Sequence, residues 1–112
     1  MKAIRYFNEF VDSGVVKKQE PNKSRAKFLI IEAEQGYAYL LELIKTMGVG
    51  NHNANDYVKN CYDILMELTR AKMLFGGLNS SGFKAHEAEV SYWRNLQFKE
   101  QEVQFLDQMR FF

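Results

Sequence analysis

Residues 54–75 read ANDYVKNCYDILMELTRAKMLF, and the spacing of their apolar positions decides the fold. Tyr57, Cys61, Ile64, Leu68, Ala71 and Phe75 recur at steps of four and three, the period of a helix with one apolar face. Alternation with a period of two, the mark of a half-buried strand, is not sustained here or elsewhere. The stretch predicts a helix over 54–75 with this stripe, Leu68 included, in the core. Asn53, at the end of the loop GVGNHNAND, has a side-chain oxygen suited to the N-cap position.

Working outward, Ile30, Ala33, Tyr37, Leu40, Ile44 and Met47 show the same period, which predicts a second helix from Ser24 to Met47 with Gly48 as its stop. A fourth helix is expected over 83–96, and a tight QFK turn leads into a last one from Glu100 onward. A short N-terminal helix over 3–11 would place Ile4, Phe7 and Val11 on one stripe. DSGVVKKQEPNKS then reads as a linker, broken by Gly14 and solvated by its charges. The expected fold is all-α: an antiparallel up-and-down bundle of four longer helices with a short N-terminal helix added, and no sheet. The chain reads as one domain, with an N-terminal helix and linker over 1–22 and the bundle over 24–112.

Composition narrows the functions open to it. With 15 Lys and Arg against 14 Asp and Glu, the net charge of +1 excludes the concentrated basic field that strong non-specific nucleic-acid binding needs. Cys61 is the single cysteine, so neither an internal disulfide framework nor a multi-cysteine zinc site is available. The N-terminus MKAIRYFNEFVDSG is broken by charges and is no signal peptide. No apolar run approaches the ~18 residues of a membrane span. The expectation is a soluble, cytoplasmic protein.

Two motif resemblances fail on inspection. AHEAEV begins like a zinc hydrolase helix, but Val90 stands where the second histidine is required. GGLNSSGFK has glycines at P-loop spacing, but Phe83 and Lys84 follow where Lys and Ser or Thr belong. His52 and His86 have no third ligand in reach of the pattern, so no metal and no cofactor are expected. His52 reads as exposed in its loop. His86 falls on the apolar side of its helix, a turn before Val90, and is expected partly buried with a hydrogen-bond partner or lining a groove.

DILMELTRAK carries the best polar constellation. Asp63, Glu67 and Arg70 occupy one helical ridge beside the apolar stripe. They form either a solvated face with an ordinary Glu67–Arg70 pair or an acidic anchor for a cation from another helix. At the C-terminus, QEVQFLDQMRFF has a broad apolar face and no residue that stops a helix.

The stretch NCYDILMELTRAKMLFGGLNSSGFKAHEAEVSYWRNLQFKEQEVQFLDQMRFF resembles the HEPN domains of prokaryotes, particularly small archaeal members. The likeness runs from about Ala26 to Phe112 and is most specific in SSGFKAHEAEVSYWR and FLDQMRFF. It implies a helical bundle. Active members carry an arginine, a polar residue and a histidine on the last helix, pair those motifs across a homodimer, and cleave RNA without metal. Others have lost the motif and serve as binding or assembly modules beside a nucleotidyltransferase. An acidic residue on an earlier helix supports the motif arginine, and Glu67 or Asp63 is its match here. Arg110 is the last arginine and no histidine follows it, so the tail looks like a HEPN last helix cut short of its functional half.

The resulting expectation is a non-catalytic, self-associating interaction module with a nucleotidyltransferase, a nucleotide or RNA as candidate partners. The alternative is a metal-independent, toxin-like ribonuclease whose catalytic motif lies beyond Phe112. Asp63, Glu67, Arg70, His86 and Arg110 are the candidate ligand-binding residues. Phe105, Met109, Phe111 and Phe112 are too crowded for one narrow stripe and are the candidate homodimer interface.

Overall fold

The computed structural model describes residues 3–111. In chain order the elements are α1 (Phe7–Asp12), β1 (Val16–Lys18), α2 (Lys23–Met47), α3 (Ala54–Phe75), β2 (Leu78–Ser80), α4 (Ala85–Asn95) and α5 (Glu100–Met109). Helices make up most of the described chain, as the periodicity predicts.

The central element is α3, which packs on two sides. α2 runs antiparallel along one side of it: the Asn22 amide reaches the Leu74 carbonyl at one end, and the Tyr57 hydroxyl reaches the Gly48 carbonyl at the other. Ala26, Leu29, Ala71 and Leu74 form the core between these two helices. On the other side, Tyr62 and Met66 join Ile4, Val90, Val103, Leu106 and Met109 from the N-terminal segment, α4 and α5. A third cluster sets Met73 against Phe7, Phe10, Val16 and Ala88.

This two-sided packing corrects the expected rotation of α3. Leu68 is 40% exposed, and Cys61 and Ile64 are only half-buried, whereas Tyr57, Tyr62, Met66, Thr69, Ala71, Met73 and Leu74 are buried. Leu68 stands at the seam between the faces that α2 and α4/α5 cover, so the predicted stripe runs along a boundary.

The expected linker also needs correction. β1 and β2 pair antiparallel, with Val16 opposite Ser80 and Lys18 opposite Leu78, and Val16 is buried while Lys17 and Lys18 are exposed. The turn that admits this pairing depends on Gly77. Its φ is +73°, the Gln19 amide donates to its carbonyl at 2.8 Å, and a Cβ there would collide with the Gln19 carbonyl.

Three ends differ from expectation. α1 starts at Phe7, because the segment before it is extended and buries Ile4 in the core under α5. α4 starts at Ala85, leaving Phe83 98% exposed. α5 closes at Met109 through tightened last-turn bonds, Arg110 N–H to Asp107 O at 3.4 Å and Phe111 N–H to Gln108 O at 3.1 Å. Asn53 sits at the N-cap position of α3, but its side chain binds backward to the loop, accepting from Gly50 N–H and donating to Gly48 O. Among the described residues no helix is long and apolar enough to cross a membrane.

Candidate functional site

A groove of about 270 Å³ lies between the first half of α2, the end of α3, β2 and the start of α4. Leu29, Met73 and Leu74 supply its apolar wall, and Arg25, Arg70, Ser80, His86 and Glu89 its polar groups. Glu89 follows His86 by three residues on α4, which puts both on one face. β2 and α3 cover that face at Glu89, leaving it 3% exposed.

A carboxylate at that depth is costly unless its oxygens are bonded. Glu89 Oε2 accepts from Arg70 Nε at 3.1 Å and from the Ser80 hydroxyl at 2.6 Å. Glu89 Oε1 is equally buried and has no hydrogen-bond partner.

Behind the groove stands Tyr62, whose hydroxyl lies 3.4 Å from His86 Nδ1. Burial pushes that hydroxyl up to about 12, with the charges of Glu89 and Asp107 adding to the shift and those of Arg110 and Arg70 opposing it. Nearby, Trp93 Nε1 donates to the Thr69 hydroxyl at 2.8 Å, which itself donates to Leu65 O at 2.7 Å.

The structure distributes the candidate residues unevenly. Arg70 and His86 meet in the groove. His86 is exposed rather than partly buried, although its partner Tyr62 is present. Glu67 turns toward α2, where burial and then the Glu32 carboxyl hold it above the usual carboxylate range. Asp63 is exposed. The ion pair of Arg70 therefore runs to Glu89 on another helix, not to Glu67 on its own. Arg110 pairs with Asp107 at 3.6 Å and stacks on the Phe111 ring at 4.8 Å, beside a second hollow shared with Ile4 and Glu87. Arg25, Tyr62, Ser80 and Glu89 were not marked by the sequence pattern. Glu89 had only its three-residue spacing from His86 as a signal.

The C-terminal face is apolar. Phe105 is 62% and Phe111 75% exposed. Met109, in contrast, is mostly buried with Val103 and Leu106 in the chain's own core. Phe112 lies outside the described residues. Leu65, Trp93, Phe105, Leu106 and Met109 line a hollow of about 320 Å³, and Trp93 stacks on Phe98 with centroids 4.4 Å apart. No group of three or more His, Cys, Asp or Glu among the described residues is placed to hold a metal ion.

Compared with protein-family models, curated proteins and solved structures, the chain matches none.

Proposed function

We propose that the protein is a non-catalytic interaction module, HEPN-like in the bundling of its helices, that self-associates as a homodimer through the outer face of α5. The observation that carries this reading is the exposed Phe105 ring at the edge of an apolar hollow. A projecting aromatic next to a recess that accommodates one is what a two-fold interface needs, because each copy then offers both parts. Gln101 and Glu102 border the hollow and supply a polar rim. A nucleotidyltransferase, a nucleotide or RNA is the further partner that the resemblance implies. Light scattering on the eluting protein is the test: a dimer is expected at micromolar concentration, and Phe105→Ser should give a monomer with its melting temperature nearly unchanged. A monomeric unmodified chain at high micromolar concentration rejects the proposal.

One observation favours the ribonuclease reading as a second choice: the Tyr62 hydroxyl lies 3.4 Å from His86 Nδ1 and feels the charge of Arg110, so a base and a cation both act on one hydroxyl. RNA cleavage in the presence of a chelator, abolished by His86→Ala, would establish it.

A further inference from the structure

We infer that α2 carries a second contact surface, on which α2 of another copy of this chain docks antiparallel, with Phe28 of each copy against the partner's Ile31. The inference starts from a heptad on the outer side of the helix. Ala26, Leu29 and Ala33 turn inward and are buried. On the opposite side Ser24, Phe28, Ile31 and Gln35 follow one another at steps of four, three and four, and all are exposed. Steps of this kind mark the inner positions of a coiled-coil seam. Phe28 is 57% and Ile31 54% exposed at the centre of the stripe, and a helix apolar on a second side calls for a second packing partner. The hollow on α5 contains no residue of α2, so this surface stands apart from the α5 contact.

The flanking charges choose the occupant. Arg25 and Glu32 stand along one edge of the stripe, Lys27 and Glu34 along the other, and all four are exposed. Opposite charges on one helix support each other three or four residues apart. Here each base stands seven residues before the acid of its edge, and none of the four joins an ion pair among the described residues. An antiparallel copy in the register that sets Phe28 on the partner's Ile31 brings Lys27 to the partner's Glu34 and Arg25 to the partner's Glu32. The two-fold axis repeats both pairs, so the face complements itself in charge as well as in shape. Glu32 already confronts Glu67 across the α2–α3 seam, and the incoming guanidinium offsets that repulsion. A parallel copy would leave Glu34 without a cation. The seam is short, because Ala38 and Glu42 follow Gln35 at its next two positions. With its two central apolar residues already half covered, it buries well under the roughly 1,200 Å² of a stable interface. The contact is therefore a weak one, populated near about 1 mM, far above the concentration that forms the α5 dimer.

Sedimentation equilibrium of the Phe105→Ser chain, from about 10 µM to about 1 mM, tests this contact with the α5 face disabled. The mean mass should rise toward twice its starting value and no further, since a two-fold contact closes on itself. Lys27→Glu and Glu34→Lys in the same background alter exposed side chains without ion pairs and should keep the helical spectrum. Each should weaken association about tenfold or more, because attraction becomes repulsion at both symmetry-related sites. An equimolar mixture of the two variants should associate as well as the parent, since each glutamate then meets a lysine of the other chain. A mass that stays constant up to about 1 mM overturns the inference and leaves the face to a helix of another protein. So does a reversal at either position without effect, or a mixture that associates no better than its components.

Discussion

Arg94 holds Glu100 by two hydrogen bonds of 2.7 Å, and the same guanidinium donates to the carbonyls of Ile4 and Arg5 at 2.9 Å. One side chain therefore joins α4, α5 and the N-terminal segment. Those bonds pull the Glu100 carboxyl from its ordinary 4.5 down to about 2.

Because the folded value lies below the unfolded one, Glu100 contributes stability that is complete above about pH 4.5 and is lost as the pH falls toward about 2. Glu100 is 55% exposed, so solvent screening limits the contribution to about 1 kcal/mol or less. Urea midpoints of the unmodified chain and Glu100→Gln should differ at pH 6 and converge near pH 2. A gap that stays constant with pH would show that the ion pair has no linked effect.

Met66→Ala and Leu68→Ala should separate sharply. Met66 is 1% exposed in the cluster that unites α3, α4 and α5, and its truncation should cost about 2–5 kcal/mol. Leu68, at the seam, should cost less than about 1 kcal/mol. Chemical denaturation gives both values, and equal losses would mean that α3 is rotated from the orientation described.

The same helix shows what sequence reasoning reaches. Its limits, Ala54–Phe75, and those of α2 follow from the helical period and, for α2, from Gly48. Its rotation does not, because apolar residues serve two faces and their average direction points at neither. The sheet was out of reach for a different reason: three residues per strand are too few for a period to register, and their partners lie far apart in sequence. Arg70 and His86 were recognisable from the ridges they occupy. Glu89 was not, since its burial depends on β2.

Glu67 faces Glu32 across the α2–α3 seam, and its folded pKa is raised. For a carboxyl this sign means that stability is fullest below the unfolded pKa and falls as the pH rises through the folded one. Glu67→Gln should therefore stabilise the protein at pH 7, by a few tenths of a kcal/mol as like-charge helix pairs do, and change little below pH 4. Thermal melts at the two pH values check this; destabilisation at pH 7 would refute it.

Gly77→Ala tests the turn that joins α3 to β2. A Cβ at φ +73° is strained and collides with backbone, not with a movable side chain. The expected cost is about 1–3 kcal/mol by thermal or urea unfolding, and a neutral substitution would mean the β1–β2 pairing is dispensable.

The position of Ile4 has a consequence for synthesis. Its partners include Val103, Leu106 and Met109, and the carbonyl that Arg94 holds lies 90 residues earlier in the chain. At about 5–20 residues per second on the ribosome, Ile4 waits several seconds or more for the helix that covers it. Through that interval the α2–α3 hairpin, which pairs locally, can already form, while the N-terminal strap dangles with its apolar side chains in water.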